Sequence, residues 1–274
     1  MSNSKKEFTI VGAGLVGTLL AVGLKKMGHS VCLIEKRSDL RRASEDGYRS
    51  INLVVTSRGL LGLERVGLFE KIKDLVVPIE GRAIHSKLGE VVHQPYGKKD
   101  ECNFSVSRSK LNAFLLDEAE SLGIPIEFDA SIEDLDFENQ MISSSGERRH
   151  YEILIGTDGA GSFVRESLME KYPERFECQT EYLEADYKEL FMPKTKNGEF
   201  PLSARSLHIW PRGKFMMMAL ANLDGSFTMT LYLPKHGTKS SFDSIRSSAD
   251  VEALFKEEFP DAAPLMPNYL ADFQ

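Results

Sequence analysis

The stretch Phe8-Thr9-Ile10-Val11-Gly12-Ala13-Gly14-Leu15-Val16-Gly17 decides the fold. A short β-favouring run enters a Gly-x-Gly-x-x-Gly turn, and apolar residues then recur at helical spacing from Leu15 to Met27. Gly28 caps that helix, and Ser30 to Glu35 reads as a second strand. This succession is the opening of a dinucleotide-binding α/β unit. Gly12 permits the tight turn, Gly14 lets a pyrophosphate approach the backbone, and Gly17 lets the helix lie against the strand. The helix N-terminus offers N–H groups and partial positive charge to the diphosphate. Glu35, at the end of the second strand, stands where a carboxylate accepts the adenosine ribose hydroxyls.

A single fingerprint with no second unit of the nicotinamide type favours FAD over NAD. A second signal lies in Ile155-Gly156-Thr157-Asp158-Gly159-Ala160-Gly161, followed by Arg165. An Asp-Gly after a buried strand turns the chain sharply and aims a carboxylate outward.

Between these motifs the chain continues the α/β pattern. An irregular polar loop from Arg37 to Ser50 precedes helices at Arg58–Val66 and Leu68–Leu75. Short β-like pieces follow from Gly81 to Val92, around a turn at Leu88-Gly89. Ser107 is placed to cap an amphipathic helix to Ser121 with Leu111, Phe114, Leu115 and Ala119 on one face. Strands are expected near Pro125–Ile132, Met141–Ser144 and Tyr151–Gly156, and a short helix after Ser162. Beyond Pro173 the alternation stops. Ser206–Trp210, Lys214–Ala221 and Ser226–Leu233 read as consecutive antiparallel strands, with a helix from Ala249 to Glu258 and a Pro-rich stretch after it. The stripe of Trp210, Phe215, Met217 and Phe227 is expected to be the core face of that sheet.

Composition narrows the partners. The 274 residues carry a net charge of −7, which argues against a nucleic acid, whose phosphates call for a basic face. No apolar run is long enough to span a bilayer, and the polar Met1–Lys6 has no signal-peptide pattern. Cys32, Cys102 and Cys178 form no CxxC pair, and the six histidines have no metal-ligand spacing. The expectation is a reduced, cytoplasmic, metal-free chain.

These residues resemble the flavoprotein aromatic hydroxylases, and within them the branch acting on L-kynurenine. The resemblance begins at the Gly12–Gly17 fingerprint and continues in Arg49-Ser50-Ile51-Asn52-Leu53, Ser57-Arg58-Gly59 and Gly81-Arg82-Ala83-Ile84-His85. Further on it is carried by Ser107-Arg108-Ser109-Lys110-Leu111-Asn112, Asp158-Gly159 and His208-Ile209-Trp210-Pro211-Arg212. Phe215-Met216-Met217 and Phe259-Pro260-Asp261-Ala262 complete it.

The resemblance implies an α/β fold: a Rossmann-type FAD-binding domain (1–76 and 99–172) with an inserted and following antiparallel β-sheet substrate domain (77–98 and 173–274). Val16, Glu35, Lys36 and Arg37 would line the adenosine end of FAD. Val54, Arg108 and Ile132 would touch it further along, with Asp158 in the Asp-Gly motif. Arg82 and Tyr96 would hold the substrate carboxylate, a pairing that suits a guanidinium fork and a phenol hydroxyl. The family carries a Gly-Asp motif and further substrate contacts beyond the region matched here, so the C-terminal part is expected to be absent. FAD would be the cofactor, with NADPH, O2 and L-kynurenine consumed to give 3-hydroxykynurenine on the tryptophan-to-NAD route. No protein nucleophile or triad is needed, because the cofactor carries the hard chemistry. Two alternatives stand beside this reading. One is a related hydroxylase of another aromatic or a quinone precursor, and the other is a non-catalytic FAD-binding fragment.

Overall fold

The computed structural model describes residues 4–42, 51–98 and 101–273. Residues 43–50, which include most of the expected polar loop and Arg49-Ser50 of the family segment, lie outside the described residues. In chain order the elements begin β1 (Glu7–Val11), α1 (Leu15–Lys26), β2 (Ser30–Ile34), β3 (Asn52–Val55), α2 (Ser57–Arg65) and α3 (Phe69–Ile72). They continue with β4 (Val76–Ile79), β5 (Gly81–His85), β6 (Val91–Pro95), β7 (Asn103–Ser107), α4 (Arg108–Ser121) and β8 (Ile126–Glu127). Next are β9 (Ile132–Asp136), β10 (Met141–Ser144), β11 (Glu147–His150), β12 (Ile153–Gly156) and α5 (Phe163–Lys171). The last group is β13 (Ala185–Met192), β14 (Ser206–Arg212), β15 (Phe215–Ala221), β16 (Phe227–Pro234), α6 (Ser248–Glu258) and α7 (Tyr269–Phe273).

The chain forms two compact units. The first comprises 1–48, 60–70 and 109–180. Its parallel sheet has the order β12-β1-β2-β8, so β1 lies centrally with the β1-α1-β2 crossover beside it. Helix α1 buries Gly17, Thr18, Ala21 and Val22 and ends at Gly28, whose φ of +93° suits the left-handed cap. The second sheet of this unit is the antiparallel β11-β10-β9. One core cluster of the unit is formed by Val11, Ile34, Ala130, Ile142, Tyr151 and Val164.

Two expectations in this unit change. The strand anticipated over Pro125–Ile132 is broken: only Ile126–Glu127 pair with β2, and Ile132 opens β9. Asp129 takes a φ of +55° there, which ends the parallel pairing and redirects the chain into the antiparallel sheet. The strongly polar Glu147–His150 also forms a strand, because Ser145 and Gly146 both have positive φ and close a hairpin on β10.

The second unit comprises 49–59, 71–108 and 181–274. Its main sheet has the order β13-β16-β15-β14-β5-β6, antiparallel except for β14 beside β5. A smaller antiparallel sheet, β3-β7-β4, belongs to the same unit. The four residues Phe227, Met229, Leu231 and Leu233 of β16 are fully buried, whereas Thr228, Thr230 and Tyr232 are half-buried. The buried face packs with Phe255 and Phe259, and Trp210, Met217 and Phe227 are core residues, as the stripe implied. Strands β3, β4, β7 and β13 and helix α7 were not apparent in the sequence. β3, β4 and β7 are short and stabilised by partners distant along the chain, which no local pattern encodes.

On the buried face β5 and β14 share a polar cluster. His208 donates from Nε2 to the Ser203 carbonyl (2.9 Å), which can only accept, so its Nδ1 accepts from His85 Nε2 (2.8 Å). His85 stacks on Trp210, and both reach Asp261 Oδ2. Burial pushes the His208 pKa down to about 4. His208 therefore stays neutral in the fold while an unfolded chain takes up a proton near pH 6.5. Its contribution is complete above pH 6.5 and is lost as pH falls toward 4, by about 3 kcal/mol in all. Urea titrations between pH 7 and 4 are expected to show this slope, and His208→Asn should flatten it by about one proton. Identical pH slopes for parent and variant would remove the assignment.

Candidate functional site

In the first unit the fingerprint turn is held from three sides. A carbon added at Gly17 would lie 2.0 Å from the Gly12 carbonyl oxygen and 2.4 Å from Thr157 Oγ1, so no side chain fits. Gly12 has a φ of +100°, and Thr157 clasps it by donating its hydroxyl to the carbonyls of Val11 (2.8 Å) and Gly12 (2.9 Å). The Thr18 hydroxyl and the Asn112 amide both donate to the Ala13 carbonyl. Sequence reading passed over Thr157, Thr18 and Asn112 as site residues, although Thr157 and Asn112 lie inside quoted motifs; their roles arise from chain segments far apart.

Gly14 differs from its neighbours. Its φ of −74° suits any residue, and an added carbon would meet nothing within 4 Å. The start of α1 has no side-chain cap and no acidic residue in its first turn. Open volume over uncapped helical N–H groups is what a diphosphate requires, so this cradle fits the cofactor. Val16 is exposed at the same helix start.

Glu35 lies beside this cradle and is nearly fully buried. Its Oε2 accepts from the Ala13 N–H (2.9 Å), and its Oε1 accepts from the Arg37 N–H (3.0 Å) and Arg37 Nε (2.9 Å). Burial alone would raise its pKa, but the hydrogen bonds from Arg37 and Ala13 prevail and hold the carboxyl below its ordinary value. Lys36 and Arg37 are exposed next to it. Asp158 is half-buried and turned to the start of α5, where it accepts from the Ser162 hydroxyl (2.6 Å) and the Val164 N–H (3.2 Å). Ile132 packs against the small core of this unit.

In the second unit Arg82 and Tyr96 come together. Arg82 Nε donates to the Tyr96 hydroxyl at 3.3 Å, and the guanidinium carbon lies 5.4 Å from the ring centroid. Arg82 is exposed on β5, while Tyr96 follows β6 and is fastened by its N–H to the Glu80 carbonyl (2.7 Å). Tyr96 packs on an apolar cluster of Ile79, Leu207 and Leu220, as does Val54 of β3. Leu220 also lines a pocket of about 160 Å³, whose other walls include Asn52, Met218, Thr228, Thr230 and Tyr232. The Arg82–Tyr96 pair and this pocket thus share the half-buried face of the six-stranded sheet. Arg108 is exposed as the first residue of α4, its N–H bonded to the Ile51 carbonyl (3.2 Å).

An uncapped, glycine-rich helix start in one unit and a guanidinium–phenol pair beside an apolar cluster in the other mark the chain as a nucleotide-cofactor protein. Residues 5–264 match the FAD binding domain family, and the chain belongs to that family. It is 44% identical to kynurenine 3-monooxygenase of Myxococcus xanthus over 282 aligned residues, covering all of this chain and 60% of that protein. It is 38% identical to kynurenine 3-monooxygenase of Stenotrophomonas maltophilia, covering 100% of this chain and 61% of that one. The chain thus spans about 60% of the length of these curated relatives.

Among solved structures it is similar to a tetrameric form of 2-methyl-3-hydroxypyridine-5-carboxylic acid oxygenase, at a TM-score of 0.76 and 20% identity, covering 98% of this chain and 68% of that one. It is also similar to PqsL, a probable FAD-dependent monooxygenase from Pseudomonas aeruginosa, at a TM-score of 0.66 and 16% identity, covering 85% and 61%. These likenesses establish the hydroxylase-like fold. Among the described residues no helix is long and apolar enough to cross a membrane.

The contrast between the glycines is testable. Gly17→Ala is expected to destabilise the chain by about 1–3 kcal/mol through overpacking. Gly14→Ala should change stability by less than about 0.5 kcal/mol yet weaken FAD binding, because its methyl enters the cradle. Urea unfolding and flavin titration of both variants check this, and unchanged FAD affinity in Gly14→Ala would place the diphosphate elsewhere.

Proposed function

We propose that the chain is the FAD-binding and substrate-binding portion of an NADPH-consuming monooxygenase that hydroxylates L-kynurenine to 3-hydroxykynurenine. The Arg82–Tyr96 pair, 3.3 Å apart beside an apolar pocket, is the observation that carries the reading. A guanidinium fork with a phenol hydroxyl suits an amino-acid carboxylate, and the aliphatic wall next to it suits an aromatic ring. The curated relatives with kynurenine in their names support that ligand over a quinone precursor, which would bring no carboxylate to Arg82. When bound, FAD reduced by NADPH supplies the activation of O2 and the transfer of one oxygen atom to the ring.

The chain's own residues bind and orient. The cradle of Gly12, Gly14, Val16 and Gly17 takes the diphosphate at the α1 N-terminus. Glu35 would take the adenosine ribose hydroxyls, with the exposed Arg37 beside it lining the adenosine end. Lys36, Val54, Arg108 and Ile132 add contacts along the cofactor. Asp158, held by Ser162 and Val164, orders the α5 turn that faces it. The functional division we propose is FAD binding by 1–76 and 99–172 and substrate binding by 77–98 and 173–274. The compact units draw the line differently, since β3 and β7 cluster with the large sheet.

Two outcomes test the assignment. Arg82→Lys keeps the charge but loses the fork, so kynurenine affinity measured by calorimetry should fall about tenfold or more while bound flavin is unchanged. Equal affinities would mean that the carboxylate sits elsewhere. Glu35→Gln preserves shape and removes the charge, and flavin affinity should fall by about 1.5–3 kcal/mol. A variant that holds FAD as tightly as the parent would remove the ribose role.

A further inference from the structure

Three consecutive methionines, Met216, Met217 and Met218, lie on β15, and the alternation of the strand divides them. Met217 is fully buried and shares the core cluster with Trp210, Phe227 and Met229. Met216 and Met218 lie on the opposite, half-buried face. Met218 packs against the Ile79, Leu207 and Leu220 cluster and forms part of the wall of the pocket of about 160 Å³. A cavity of that volume with apolar walls takes a benzene-sized ring. The Met218 thioether therefore faces whatever small molecule enters, whereas Met192, Met217, Met229 and Met266 expose no surface at all.

A thioether in such a place can be oxidised. A sulfur lone pair attacks hydrogen peroxide, an S–O bond forms, the O–O bond breaks and water leaves, so that sulfur is oxidised and the peroxide reduced. Peroxide is also what O2 becomes when a reduced flavin passes electrons to it and no ring takes up the oxygen, so an FAD-dependent monooxygenase generates the oxidant itself. Thr230 stands directly across from Met218 on β16 and lines the same pocket. Side chains so paired have Cβ atoms about 5 Å apart, which brings the threonine hydroxyl within reach of an oxygen placed on the sulfur. We propose that Met218 is a redox-modification site, converted by hydrogen peroxide to the sulfoxide, and that the modified side chain reversibly closes the pocket to aromatic rings. The new oxygen, bonded to Thr230, occupies volume that a ring needs, and a ring that enters must break that bond. The supply of peroxide rests on the monooxygenase reading, whereas the reaction of Met218 with added peroxide does not.

The test treats the full chain with dilute hydrogen peroxide and locates the added oxygen by fragment mass spectrometry. Met218 is expected to gain one oxygen atom alongside the exposed Met27, while Met217, Met192 and Met229 stay unmodified. Calorimetry with aniline as the probe should show affinity falling about fivefold on oxidation, the worth of one neutral hydrogen bond. Methionine sulfoxide reductase should restore it. Met218→Leu, whatever its own affinity, should bind aniline equally before and after peroxide. Met218 reacting no sooner than Met217 overturns the modification site. Unchanged aniline affinity in the Met218 sulfoxide, an equal loss in Met218→Leu, or an untreated parent that does not bind aniline overturns the closure of the pocket. An FAD-loaded chain that oxidises NADPH without releasing peroxide, while Met218 still reacts with added peroxide, overturns the monooxygenase supply and leaves the site standing.

Discussion

A side chain at Gly17 would stand 2.0 Å from the Gly12 carbonyl oxygen, and the cofactor unit is arranged around that exclusion. Because nothing projects from Gly17, helix α1 starts directly against the end of β1. The Thr157 hydroxyl can then reach two carbonyls of the turn from the neighbouring strand β12. The close fit leaves the first N–H groups of α1 without a cap and Gly14 facing open volume. Packing and binding are thus separate properties of adjacent glycines. One is required by steric contact, and the other leaves room for an anion that the helix end attracts.

Glu35 shows how the same geometry treats charge. A nearly buried carboxylate is costly unless it is hydrogen-bonded, and here the Ala13 N–H and Arg37 satisfy it. The Ala13 bond ties the acid to the fingerprint turn itself, so Glu35 and the open helix start are positioned by one another. Arg37 pairs with the carboxylate while its own side chain remains exposed.

The large sheet of the other unit has two chemically distinct faces. Its buried face carries the aromatic core together with the His85–His208–Asp261 cluster, in which the His85–His208 bond fastens β5 to β14 and Asp261 is reached from both strands through His85 and Trp210. Its half-buried face carries Arg82, the leucine wall and Thr228. Alternation along β5 places Arg82 on one face and His85 on the other. Arg82 therefore sits on a strand whose reverse side is locked into the core.

The sequence by itself determined the cofactor unit's opening, because a Gly-x-Gly-x-x-Gly turn between a strand and a helix is a local pattern with local causes. Strand β1, helix α1, strand β2 and the acid at Glu35 all follow from neighbours within a few residues. The core stripe of Trp210, Met217 and Phe227 was legible for the same reason, as was the hairpin spacing of Arg82 and Tyr96. Only the tertiary structure decided what depends on distant partners. Strands β3 and β7 exist through each other across some fifty residues of chain (Asn52 opposite Ser107) and join the sheet unit rather than the fingerprint unit. Thr157 reaches the turn from the far end of the first unit, and Asn52 meets Asn222 from another sheet. Such contacts are set by how strands are ordered and faced. A hydroxyl's role as donor or acceptor becomes readable only when every neighbour competing for its hydrogen is in place.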